Sequence, residues 1–135
     1  VYFAAMIDLE KEMANTYKIL KQSEQMLQVE LNVPPSWTYF VGHFPQGPLL
    51  PAVAIIDMSQ YLIGTYLLVS GGAPLSLRRL SNFRIKNPVH PGCQVQIEIE
   101  REMSSEVGVF DFNILWKKFA ENKLYAELSL RVAAP

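Results

Sequence analysis

Apolar and polar residues alternate along most of this chain, and the rhythm changes once. Leu27, Val29, Leu31 and Val33 interleave with Gln28, Glu30 and Asn32, and Val95, Ile97 and Ile99 interleave with Gln94, Gln96, Glu98 and Glu100. A period of two sends one set of side chains to a core and the other to water, so both segments read as strands with one wet face. Residues 17–33 are expected to form two strands or one bent strand, closed by Pro34-Pro35. Residues 77–89, 94–103, 107–119 and 123–132 are also strand-like, with turns expected at 87–92, 104–108 and 121–123.

The change comes after a run of prolines. Val53, Ile55, Ile56, Met58, Leu62, Ile63, Leu67 and Leu68 spread around nearly the whole circumference of a helix predicted over 51–69. Such a helix must be wrapped on most sides. Pro51 suits its first turn, where a missing N–H costs nothing, and Gly71-Gly72-Ala73-Pro74 ends it. Residues 5–15 mix Met6, Ile7, Leu9 and Met13 with charged neighbours, the pattern of a short amphipathic helix at the domain edge. No repeat or linker divides the chain. The expectation is an α+β fold, one antiparallel sheet curled around one central helix, forming a single domain over 16–135 behind an N-terminal extension over 1–15.

Composition narrows the possibilities. A chain of 135 residues, half of them hydrophobic, can build a core without metal or disulfide staples. A net charge of -1 gives no general attraction to nucleic acid or anionic membrane, so any electrostatic recognition must be local. Cys93 is the only cysteine, which excludes an intrachain disulfide and makes a reducing cytoplasm the expected compartment. The apolar stretch 49–70 is interrupted by Asp57, Ser59, Gln60, Gly64 and Thr65, as in a buried helix rather than a membrane span. Val1-Tyr2-Phe3 lacks the basic start of a signal peptide. No Cys, His and acid cluster has zinc spacing and no glycine-rich phosphate loop occurs, so neither metal nor nucleotide cofactor is expected.

The chemistry concentrates in Gly42-His43-Phe44-Pro45-Gln46-Gly47-Pro48-Leu49-Leu50-Pro51-Ala52-Val53, followed by Asp57 inside the apolar helix. Three prolines fix φ and leave the loop few conformations to lose, the rigidity a catalytic base needs. An acid/base pair beside an apolar tunnel is the natural expectation. The bland alternatives are a loop histidine without chemistry and a helix acid bonded to a nearby backbone or hydroxyl group; the proline spacing and the matched acid favour a site.

The Gly-His-Phe-Pro-x-x-Pro-x-x-Pro segment before a central helix, with an acid fourteen residues after the histidine, resembles the hot-dog-fold 3-hydroxyacyl-(acyl carrier protein) dehydratases, the FabA/FabZ-like family. Residues 83–92, Phe-Arg-Ile-Lys-Asn-Pro-Val-His-Pro-Gly, are similar to that family's strand-turn segment, and the likeness runs from about residue 23 to residue 132. Aspartate as the acid leans toward the branch associated with aryl polyene synthesis. The resemblance implies a hydro-lyase that converts carrier-bound 3-hydroxyacyl thioesters to trans-2-enoyl thioesters in fatty acid, polyketide or aryl polyene-type synthesis. His43 would accept the C2 proton, and Asp57 would protonate or orient the departing C3 hydroxyl. The backbone N–H of Ala52, at the positive end of the helix dipole, would stabilise the thioester oxyanion. The resemblance also implies a homodimer or higher oligomer in which His43 of one subunit faces Asp57 of the other. Phe44, Leu49, Val53 and Ile56 would line the acyl tunnel between subunits. Substrate would arrive on the phosphopantetheine of an acyl carrier protein, a partner that Arg78, Arg79, Arg84 and Lys86 could hold.

Two positions depart from the family. Ala52 stands where glycine is usual, which matters only if that residue needs positive φ; ordinary helical φ is expected. Tyr61 stands where the family has glutamine, four residues beyond the acid. His90, in a turn, and Cys93, without a sequence-local activating base, read as structural. A hot-dog thioesterase, whose acid activates water toward the carbonyl, and a non-catalytic acyl-binding subunit of a synthase cluster are the rival functions.

Overall fold

The computed structural model describes residues 8–40, 49–67, 74–104 and 106–134. Six strands make one antiparallel sheet in the order β1-β2-β4-β5-β6-β3, with β1 Tyr17–Gln22, β2 Met26–Asn32, β3 Ser76–Ile85, β4 Gln94–Glu102, β5 Val109–Lys118 and β6 Leu124–Ala133. Residues 17–33 therefore form two strands, a hairpin in which Tyr17 faces Leu31 and Gln22 faces Leu27. The sheet carries α2, Ala52–Leu62, which runs on as one π-helical stretch, Ile63–Leu67.

Alternation built the inner layer as expected. Leu27, Val29 and Leu31 of β2, Val95, Ile97 and Ile99 of β4, Phe112, Ile114 and Trp116 of β5, and Leu128, Leu130 and Val132 of β6 are all buried. They meet Ala54, Ile55, Met58 and Leu62 of α2. Full burial of one such aliphatic side chain is worth about 1.5–3 kcal/mol, so these positions dominate the stability of the core. The outer layer is polar. Asp111 of β5 and Arg131 of β6 face each other and join through two hydrogen bonds, Nε to Oδ1 at 2.8 Å and Nη2 to Oδ2 at 3.1 Å.

Several boundaries differ from expectation. The N-terminal helix, α1, spans only Leu9–Met13; Asp8 caps it by accepting from the Lys11 N–H, and Ala14 leaves helical geometry. The central helix does not keep α geometry to residue 69, and residues 68–73, including the glycines expected to end it, lie outside the described residues. β3 stops at Ile85 rather than 89, because Lys86 and Asn87 both donate their backbone N–H to the Tyr125 carbonyl. The expected turns are present, and at Gly92 (φ 89°) and Gly108 (φ 78°) they use backbone that a Cβ would strain.

Candidate active site

The entry to α2 is pinned from the sheet side. The Leu50 N–H donates to the Val89 carbonyl at 2.9 Å, and Pro51 takes extended geometry (φ -71°, ψ 155°) as N-cap, with no side-chain cap bond. The Ala54 N–H then bonds the Pro51 carbonyl at 3.0 Å, opening the helix. The first N–H groups of a helix have no partner within it. Ala52 is the first residue of α2 and is exposed. Among the described residues the positive-φ positions other than glycine are Asn15, Asn82 and Ala120, so alanine at 52 carries no backbone strain.

α2 has two faces. Ala54, Ile55, Met58, Ser59 and Leu62 are buried against the sheet. Val53, Ile56, Asp57 and Gln60, spaced i, i+3, i+4 and i+7, form a stripe that stays half-buried. No residue of 53–63 is exposed, so the expectation that this helix is wrapped on most sides is met, fully on the sheet face and partly on the stripe. Asp57 lies on this half-buried stripe beside Val53 and Ile56, the two expected tunnel residues on α2. Leu49, the third described tunnel residue, is half-buried just upstream. His43 and Phe44 fall within 41–48, outside the described residues.

Asp57 accepts a hydrogen bond from the Tyr39 hydroxyl at 3.3 Å to Oδ2. Tyr39 belongs to a 3₁₀ turn, Thr38–Phe40, and is buried. That turn is held from α1: the Trp37 indole N–H donates to the Glu12 carbonyl at 2.7 Å, and the Thr38 N–H donates to Glu12 Oε1 at 2.9 Å. Trp37 also stacks on Phe40 at 6.4 Å between ring centroids. No periodicity or spacing in the sequence singles out Tyr39. The available signal was a hydroxyl-bearing aromatic four residues before the histidine, but its partner lies eighteen residues away.

One turn beyond Asp57, Tyr61 joins a cluster of phenols. The Tyr17 and Tyr66 hydroxyls are 2.6 Å apart, and Gln22 Nε2 donates to the Tyr66 carbonyl at 2.9 Å. Burial, reinforced by hydrogen bonds to Tyr66 and Tyr61, pushes ionisation of Tyr17 far above the ordinary phenol range. Neighbouring Gln60 is committed elsewhere, donating to the Leu75 carbonyl at 3.3 Å.

All four expected docking residues are exposed, but the structure does not gather them. Arg79 and Arg84 share the outer face, opposite Arg131 and Glu127 of β6, and Arg84 lies 4.0 Å from Glu127. Arg78 sits in the register shift between Leu77 and Arg79 and donates to the Ala134 carbonyl at 3.4 Å; Lys86 lies beyond the strand end. His90 is exposed, and Cys93 is half-buried; burial, with Cys93 as a neighbour, pushes ionisation of Tyr125 above the ordinary phenol range. Among the described residues no three His, Cys, Asp or Glu side chains gather to hold a metal ion, and no helix is long and apolar enough to cross a membrane.

Comparison with known proteins places this geometry. The family model for the ApeI-like proteins, ApeI dehydratase, matches residues 19–127. The FabZ 3-hydroxyacyl-(acyl-carrier-protein) dehydratase of Actinobacillus pleuropneumoniae is 31% identical over 109 residues, 76% of this chain and 68% of that protein. The FabZ of Syntrophotalea carbinolica is 30% identical over 121 residues, 85% of this chain and 77% of that protein. Among solved structures, the dehydratase heterocomplex ApeI:P from Xenorhabdus doucetiae aligns with TM-score 0.66 at 20% identity, covering 86% of this chain and 94% of that one. A hypothetical thioesterase with coenzyme A from Streptococcus pneumoniae aligns with TM-score 0.71 at 11% identity, covering 94% of each. These two likenesses establish a shared hot-dog architecture. The family match over most of the domain, with FabZ relatives at about 30% identity, goes further: the chain belongs to the ApeI-like family of hot-dog dehydratases.

Proposed function

We propose that the protein dehydrates 3-hydroxyacyl thioesters carried on acyl carrier protein to trans-2-enoyl thioesters, acting as a dimer. The observation that carries this reading is Asp57: a carboxyl on a half-buried, largely apolar helix stripe, one turn past an uncapped helix start and fourteen residues beyond His43. In this reading the His43 imidazole removes the C2 proton. The released electron pair forms the C2–C3 double bond, the C3–O bond breaks, and Asp57 delivers the proton with which hydroxide leaves as water. Transfer of the proton from His43 back to Asp57 resets the pair. Charge building on the thioester oxygen meets the exposed N-terminus of α2, where losing one N–H donor typically costs about 2.7–4 kcal/mol in the barrier.

Dimerisation supplies what the single chain leaves open. β3 is an edge strand that exposes Leu77, Leu80 and Ile85, and the α2 stripe is only half-covered. The opposite edge, β1, also exposes Leu20, but it carries Lys18, Lys21 and a register shift between Ile19 and Lys21, devices that discourage strand addition. Pairing through β3 is therefore the reading we favour.

Product analysis separates the rivals. A dehydratase yields an enoyl thioester absorbing in the near ultraviolet, whereas a thioesterase yields a released thiol and acid. His43→Ala should lower the dehydration rate by about 10²–10⁴-fold with the dimer intact. Retained activity in that variant rejects the assignment. Hydrolysis as the main reaction supports the thioesterase, and inactivity of the parent toward several chain lengths supports a binding subunit.

A further inference from the structure

The geometry points to Tyr39 as a positioning residue that holds the Asp57 carboxyl in the orientation dehydration requires, an inference that rests on the dehydratase reading. Tyr39 is 1% exposed, so its ring cannot swing, and its turn is fastened twice to Glu12 of α1. Asp57 stands on the half-buried stripe of α2, beside Val53 and Ile56. The bond from the Tyr39 hydroxyl to Oδ2, at 3.3 Å, transfers the rigidity of the core to the carboxyl.

The choice of a phenol also has a chemical reason. A lysine or arginine in its place would lock the carboxylate in a strong ion pair, whereas a neutral donor orients it without adding charge. The same 3₁₀ turn ends at Phe40, from which the chain passes directly into the segment bearing His43. One fastened turn therefore sets the aim of the acid. A misplacement of about 1 Å in a reacting group typically costs on the order of 10²-fold in rate.

The test is Tyr39→Phe in the full chain, which keeps the buried ring and removes one oxygen. With a 3-hydroxyacyl N-acetylcysteamine thioester as substrate, kcat should fall about ten- to a hundredfold while KM holds within about twofold. In an Asp57→Asn background the same change should cost nothing further, a non-additivity that general loosening of the core would not produce. The side-chain carboxyl ¹³C resonance of Asp57, identified by its disappearance in Asp57→Asn, should move in Tyr39→Phe whether or not the protein turns over. Full kcat in an active protein, equal losses in both backgrounds, or an unmoved resonance would each overturn the inference. A moved resonance in a wild type that does not dehydrate leaves the orienting contact standing and removes the dehydratase reading instead.

Discussion

Ser59 is fully buried on the inner face of α2, where its hydroxyl donates to the Ile55 carbonyl at 2.7 Å and accepts from the Trp116 indole N–H at 3.1 Å. Trp116 is also fully buried. Replacing Ser59 with alanine leaves that N–H unpartnered in the core, which should cost about 1–3 kcal/mol. Urea unfolding should show a lower midpoint at unchanged slope. In the sequence, Ser59 was legible only as a polar interruption that argued against a membrane span. Its partner lies fifty-seven residues away, so the pairing is set by how the sheet meets the helix. Tyr39 and Asp57 follow the same logic: the acid was visible from its offset to His43, but the donor that aims it was not.

Among the elements, β2 and β4 were readable because each has one dry and one wet face, which prints a period of two on the sequence. β3 was harder to bound. As an edge strand it has few half-buried positions, and its pairing with β6 shifts register between Leu77 and Arg79 and again between Ser81 and Arg84. Ser81 and Arg84 bracket Asn82, whose φ of 54° breaks simple alternation. Apolar residues all around α2 likewise concealed its change to π geometry at Ile63, after which Tyr66 meets Tyr17. On the outer face, the Arg131 guanidinium beside Asp111 holds that carboxyl below the ordinary carboxylate range. A folded-state value depressed in this way adds stability that is fully present above the unfolded value of about 3.9 and lost as pH falls through the lower folded one. Stability of Asp111→Asn, followed by chemical unfolding at several pH values, should therefore fall less steeply than the parent below about pH 4.

For the whole molecule, the decisive question is whether each site is shared between subunits. If His43 and Asp57 act across a two-fold interface, mixing the severely impaired His43→Ala and Asp57→Asn proteins under exchange should restore about a quarter of parental activity, since half the dimers then hold one intact site of two. Activity that stays at the level of either variant alone would place the pair within one chain. Carrier recognition belongs to the same scale. Reversing Arg79 and Arg84 to glutamate should raise KM for a carrier-bound substrate more than for a small thioester, and added salt should narrow the gap. An equal effect on both substrates would remove these arginines from docking.

The sequence alone determined the order of strands and helix, the dry face of each inner strand, the proline spacing ahead of the helix and the offset between His43 and Asp57, because all of these are written in neighbouring residues or short periods. Tertiary structure alone decided which side of α2 packs on the sheet, which strands form the two edges of the sheet, and that Tyr39 reaches Asp57 and Ser59 reaches Trp116. Those facts depend on residues far apart in the chain, whose meeting is set by sheet register and helix rotation acting together.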